Sequence, residues 1–234
     1  MAGGRMLAPE DLEGVPTIEL LNELKRRHHV LNRPATRAAL LGPPCVGKQV
    51  QAEAFRRAFG VCRIPVAELL QNSAGASGSV DDRALTAVAS YLERPQCRRG
   101  FILEGFPTTV VQAERLQRLL EKQEVPLQHA IFLDASEEQL LERCSGRLIH
   151  PATGRRYHDQ FRPPLDQGVD DFTGEALIRP EFDAAKFQKN LASYREDGGL
   201  LHQFFSRAGL ARDVSAAGSA DEVATRVTSV VDAR

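Results

Sequence analysis

A glycine-bounded loop near the start of the chain constrains the fold more than any other feature. Residues 42–48 read GPPCVGK, follow the apolar stretch 38–41 and precede a helix predicted over 51–59. A strand, a tight turn and a helix N-terminus in this order let backbone N–H groups converge on phosphate oxygens, which the Lys48 side chain can also reach. The next residues are Gln49 and Val50, so the hydroxyl that coordinates Mg²⁺ after such a loop is missing. The loop therefore predicts a nucleotide-binding fold, whereas its missing hydroxyl argues against the usual coordination of Mg²⁺.

Short apolar segments alternate with helical patterns along the rest of the chain. Strands are predicted over 37–41, 61–64, 100–103, 129–133 and 211–214. Helices are predicted over 17–31, 47–58, 81–93, 110–123, 136–145, 183–206 and 219–231. This alternation predicts an α/β fold with a five-stranded doubly wound parallel sheet and helices on both faces.

Composition excludes several classes of protein. The chain has 234 residues, 42% hydrophobic and 26% charged, with a formal net charge of −1 and no basic stripe, which disfavours a nucleic-acid role. No apolar run approaches membrane-spanning length, so we expect no direct membrane insertion.

Four widely spaced cysteines, at 45, 62, 97 and 144, form no CxxC pair and predict neither a zinc site nor disulfides. We therefore expect an intracellular, reducing compartment, with the cytoplasm and an organelle (mitochondrion or cilium) both left open.

Two segments interrupt the alternation. Residues 148–180 are rich in Pro, Gly, Asp, His and Arg, and are too long for a plain connector, which predicts a flap with its own small fold. Residues 72–79 (NSAGASGS) have the composition of a flexible loop.

Four passages together resemble the adenylate kinase family of nucleoside monophosphate kinases, in its long-lid form. They are the loop 42–48, the run FILEGFP at 101–107, the run ERCSGR at 142–147, and the lid that begins LIHPATGRRYH at 148–158 and continues DDFTGE at 170–175. The resemblance implies a parallel sheet of the P-loop kinase type, a mobile lid, a second mobile domain that binds AMP, and phosphoryl transfer from Mg·ATP to AMP. It divides the chain into an N-terminal extension and helix (1–34) and a kinase-like domain (35–234), which includes a reduced NMP-binding insertion (65–80) and the lid (147–180).

The donor side of the site matches the family well. The resemblance makes Lys48, Arg147 and Arg179 candidate catalytic residues, because arginine makes paired hydrogen bonds to phosphate and stays charged. Further nucleotide-binding candidates are Pro44, Cys45, Val46, Gly47, Gln49, Arg143, Arg156 and Tyr157. A polar network is expected to hold the lid together without zinc; it comprises His150, Thr153, Asp170, Asp171 and Thr173.

The acceptor side departs from the family. Gln71 and Thr108 stand where the resemblance places arginines that bind the AMP phosphate, and Asn190 stands where it places a further catalytic arginine. Val66 also replaces the threonine that faces the AMP adenine. Three residues persist: Gly105 and Gln112 as a residual acceptor site, and Glu104 as the candidate metal ligand through water.

These departures predict an adenylate-kinase-like protein that has lost most AMP phosphorylation and serves as a structural or regulatory subunit. ATP binding is expected to persist, whereas the residues do not support Mg²⁺ binding, and the expected partners are other protein subunits. The alternative is an active ATP:AMP phosphotransferase with altered acceptor or metal handling, in which Arg63 or Arg83 takes over acceptor binding.

Overall fold

The computed structural model describes residues 16–72 and 78–233. Its centre is a five-stranded sheet in which every neighbouring pair is parallel. In spatial order the strands are β2 (Cys62–Pro65), β3 (Gly100–Glu104), β1 (Thr36–Leu41), β4 (His129–Asp134) and β7 (Ala211–Ser215). The carboxyl ends of all five strands therefore lie at one edge. After β1 the chain forms β2 and β3 on one side of this central strand, and then β4 and β7 on the other side. Ligands of open α/β sheets bind at such a carboxyl edge.

The strands and helices agree with the predicted alternation to within one or two residues at each end. The helices are α1 (Thr17–Asn32), α2 (Lys48–Phe59), α3 (Val66–Asn72), α4 (Val80–Leu92), α5 (Val110–Lys122), α6 (Glu137–Ser145), α7 (Ala184–Arg207) and α8 (Ala220–Asp232). A short 3₁₀ helix spans Pro95–Cys97.

Two apolar clusters, one on each face, hold helices against the sheet. Alternate residues of β1 divide between them: Ala38 and Leu40 pack with Phe55 of α2, while Ala39 and Leu41 pack with Leu116 of α5. Burial of apolar surface on both faces stabilises the parallel sheet. The predicted doubly wound architecture is confirmed.

The short helix α3 was not predicted, because seven residues are too few to show helical periodicity. Part of the predicted flexible loop 72–79, residues 73–77, lies outside the described residues.

The N-terminal helix α1 is attached chiefly through its C-terminal end. Arg33, the residue after α1, makes a paired ion contact with Asp232 at 3.1 Å, and Arg99 donates to the carbonyls of Val30 and Leu31. Within the described residues every helix is too short or too polar to cross a bilayer.

The segment 147–180 has its own small fold, as predicted. It contains an antiparallel hairpin of β5 (Arg147–Ile149) and β6 (Arg156–His158), and Ile149 also bridges to Ile178 at the far end of the segment. Arg156 of this hairpin donates to Gln49 at the start of α2, which places the lid beside the carboxyl edge of the sheet.

Candidate nucleotide site

The loop between β1 and α2 has the backbone expected of a phosphate cradle. Gly42 has φ 151°, and a side chain there would meet the Leu133 carbonyl oxygen at 2.7 Å, so only glycine fits. Gly47 lies in the left-handed region with φ 99° and forms the N-cap of α2. The loop residues Pro44, Cys45 and Val46 therefore lead directly into a helix N-terminus, where backbone N–H groups favour an anion.

Lys48 lies at the first position of α2 with its ammonium group folded back onto the loop. Nζ donates to the carbonyl oxygens of Gly42 and Pro43, each at 2.7 Å. Burial lowers the pKa of Lys48 from 10.5 to about 8; the carboxylate of Glu104 opposes this shift and the guanidinium of Arg147 adds to it. The ammonium group is thus positioned to exchange two carbonyl partners for phosphate oxygens.

The lid presents two arginines to this loop. Arg147 and Arg156 lie at the two ends of the β5–β6 hairpin, and partial burial together with the charge of Arg156 lowers the pKa of Arg147. The Arg147 side chain makes no hydrogen bond or ion pair within the described part of the chain, whereas Arg156 donates through Nη1 to the side-chain oxygen of Gln49. Two like charges near Lys48 create a site that an anion would stabilise.

Arg143 and Arg179 are engaged by the protein itself. Arg143 donates to the carbonyls of Val46 at 3.0 Å and Ala216 at 2.6 Å, which ties the loop to the segment after β7. Arg179 pairs with Asp159 at 3.1 Å and donates to the Ser145 carbonyl. Contact of Arg179 with a transferring phosphate remains a prediction, and it would require Arg179 to leave Asp159.

The lid network is present, and it extends further than predicted. His150 is 1% exposed and bonds Thr153 at 2.7 Å and Glu175 at 2.6 Å through its two ring nitrogens. Burial alone would raise the pKa of Asp170, but hydrogen bonds from Tyr157, Thr173 and the Phe172 backbone hold it at about 2.

Glu175 was not predicted as part of this network. It is the last residue of the lid run 170–175, and the resemblance of that run to the family is the sequence signal that could have identified it. Asp171 accepts from the Leu165 backbone at 2.7 Å and so lies in the same lid fold.

Tyr157 lies in this network and not against the loop. It is 4% exposed, and its hydroxyl donates to Asp170 at 2.9 Å. Successive residues of β6 point to opposite sides, so Tyr157 faces the lid interior while Arg156 faces out. Contact of Tyr157 with a nucleotide stays a prediction.

Gln112, a polar residue of the expected acceptor site, has its side-chain amide bonded within the protein. The side-chain oxygen of Gln112 accepts from the Thr108 backbone at 2.8 Å, and its amide nitrogen donates to Asp81 at 2.7 Å. Gly105 has φ 67° and its N–H donates to the Leu40 carbonyl. A Cβ added at this position would lie 3.6 Å from Cε of Lys48, so Gly105 is next to the lysine.

Glu104, the candidate metal ligand, is bound to an arginine. Arg63 donates through Nε to Glu104 at 2.6 Å and through Nη2 to Glu68 at 3.2 Å. The Arg63 and Glu104 side chains are only 19% and 16% exposed, so this ion pair is largely shielded from water. The sequence named Arg63 only as an alternative acceptor residue; its partners depend on the pairing of β2 with β3.

The expectation that the cysteines are unpaired is wrong. Cys45 in the loop is bonded to Cys144 at the end of α6, and Cys62 in β2 is bonded to Cys97, with Cα–Cα distances of 5.5 and 4.9 Å. The partners are 99 and 35 residues apart, so no local spacing could identify them. The inference of a reducing compartment depended on unpaired cysteines and loses that support.

The structure combines a five-stranded parallel sheet, a glycine-bounded loop with its lysine, and a lid that carries arginines. Together these features define a P-loop nucleotide-binding protein of the kinase type.

Residues 147–180 match the family model of the adenylate kinase active-site lid, and residues 41–160 match the family model of an AAA domain. The chain is 33% identical to "Adenylate kinase 4" of Oryza sativa, over 97% of this chain and 100% of the relative. It is 30% identical to "Adenylate kinase 4" of Arabidopsis thaliana, over 94% and 96%, and 33% identical to "Adenylate kinase" of Aspergillus niger, over 88% and 84%. The chain belongs to the adenylate kinase family.

Proposed function

We propose that this protein binds an adenine nucleoside triphosphate between the loop and the lid, phosphorylates AMP very slowly, and acts as a structural or regulatory subunit. The observation that carries the proposal is the contrast between the two halves of the site. Unpaired or exchangeable cations lie on the donor side, while the acceptor side has polar groups that are already bonded to one another.

Donor binding is supported by Lys48, Arg147 and Arg156. Lys48 and Arg147 each have their pKa lowered, which means that the free protein holds these charges at a cost. A triphosphate would relieve that cost, since its negative charge favours the protonated lysine and offsets the repulsion between the two arginines.

Weak acceptor phosphorylation is supported by Gln71, Thr108 and Asn190. They replace three arginines that the resemblance implies, and Thr108 is bonded to Gln112. One arginine that stabilises a transferring phosphoryl group can contribute a rate factor of about 10³–10⁵. The remaining binding surface would then serve recognition by nucleotide or by a protein partner.

The test is ADP formation from ATP and AMP by the full chain, with the Oryza sativa relative measured in parallel. We expect a rate at least about a thousandfold below that of the relative, together with ATP binding that Lys48→Ala abolishes. Restoring all three arginines, through Gln71→Arg, Thr108→Arg and Asn190→Arg, should raise turnover.

Rapid ADP formation that disappears in Lys48→Ala would refute the proposal and establish the alternative, an active ATP:AMP phosphotransferase. A replacement of Arg63 by Gln that removed this activity would then identify Arg63 as its acceptor residue. Absence of ATP binding would refute the donor half of the proposal.

A further inference from the structure

Arg63 occupies the carboxylates that a metal ion would need. Its guanidinium contacts Glu104 at 2.6 Å and Glu68 at 3.2 Å, so one side chain spans an acidic group at the end of β3 and another in the first turn of α3. Arginine remains protonated at any physiological pH, so Arg63 permanently offsets one of these two negative charges.

The residues around Lys48 do not fit a hydrated magnesium ion. Mg²⁺ requires oxygen ligands in near-octahedral geometry and is usually held through carboxylates and a hydroxyl. Here Glu104 is already paired, and Val50 presents an apolar side chain where a hydroxyl would lie. A magnesium ion would have to displace Arg63 from a largely buried ion pair, which leaves the guanidinium without its partners.

The same region is rich in positive charge without a metal. Lys48, Arg147 and Arg156 lie on the donor side, and Arg63 neutralises the carboxylate next to Lys48. Without Arg63, the charge of Glu104 would act directly against the phosphates of a bound nucleotide.

We propose that Arg63 replaces the divalent cation of this site, so that the protein binds a metal-free nucleoside triphosphate as tightly as its magnesium complex. The inference rests on the proposed donor binding and specifies the ionic form of the ligand. Arg63 acts here as a positioning residue: it offsets the charge of Glu104, its nearer and less exposed partner, and keeps that charge from acting on the phosphates.

The experiment is a calorimetric titration of the full chain with ATP, once with excess Mg²⁺ and once with EDTA. We expect the two dissociation constants to agree within about threefold. Arg63→Gln should weaken binding in EDTA by about tenfold or more, because Glu104 then lies unpaired near the phosphates, and Mg²⁺ should restore part of the loss.

The matched control is Arg57→Gln. Arg57 and Arg63 line one cavity of about 840 Å³ along the outer edge of β2. Arg57 pairs with Glu53 on α2 and not with Glu104. This variant should keep the wild-type affinity in both solutions. Thermal melts of both variants identify any loss of folding. The comparison of wild-type ATP affinity with Mg²⁺ and with EDTA tests the proposal even if neither variant folds.

The outcomes separate the two proposals. Wild-type protein that binds ATP at least tenfold more tightly with Mg²⁺ than with EDTA overturns the role of Arg63 and leaves the proposed donor binding intact. Wild-type protein that binds ATP in neither solution overturns both.

Discussion

Raising the pH should weaken ATP binding through Lys48, whose pKa is about 8 because its ammonium group is buried. Bound phosphates favour the protonated lysine and should return its pKa toward the ordinary 10.5. The free protein then has to take up a proton in order to bind. With these values the apparent dissociation constant rises about eightfold between pH 7.5 and 9, a range in which phosphate groups are already ionised.

Calorimetry measures this linkage directly. Titrations at pH 8.5 in two buffers of different ionisation enthalpy should give an uptake of about 0.8 proton for each ATP bound. Lys48→Met should remove both the tight binding and the proton uptake. Lys122→Met, a change at an exposed position in the last turn of α5, should alter neither.

A flat affinity between pH 7.5 and 9, without proton uptake, would refute the reasoning if Lys48→Met still abolished binding. It would mean that Lys48 stays charged in the free protein despite its burial. The stability of the free protein gives an independent check. Between pH 8 and 10.5 the unfolded chain keeps a proton that the folded chain has lost, so the free energy of unfolding should rise with pH.

Three further predictions concern the lid, the disulfides and the core. Asp170→Asn should increase hydrogen exchange of the lid amides while leaving those of the sheet protected, since the carboxylate accepts several hydrogen bonds in the lid. Acid should have the same effect. The pKa of Asp170 is about 2 in the folded protein against 3.8 in the unfolded chain, so the stability that its carboxylate contributes is lost as the pH falls from about 4 toward 2. Cys62→Ser should lower the free energy of unfolding by about 2–4 kcal/mol in urea under oxidising conditions, whereas no change would contradict the prediction; reducing the wild type, which breaks both disulfides, should cost at least as much. Leu103→Ala, at a fully buried position of β3, should cost about 2–5 kcal/mol, whereas Leu200→Ala, 57% exposed on α7, should cost below about 0.5 kcal/mol; equal effects would contradict the assigned core.

The identity of the strands, the long helices and the phosphate loop could be predicted because each depends on neighbours in the chain. β1 and β4 are runs of apolar residues bounded by turn residues, and such a pattern is typical of buried parallel strands. The lid network could be predicted from its motif, since His150, Thr153 and Asp170 lie within one short segment. The helix α3 was not predicted because it is too short to show helical periodicity in the sequence.

The order of residues along the chain is enough to predict a P-loop sheet with a lid and to show that the arginines expected for AMP are missing. Three features are visible only in the folded chain: Arg63 pairs with Glu104, 41 residues away, Cys45 pairs with Cys144, and Tyr157 is buried. Periodicity and turn chemistry are local properties of a chain, whereas these contacts arise when separate strands and helices are brought side by side. The charge that each nucleotide would meet therefore follows from packing and could not be derived from composition or spacing.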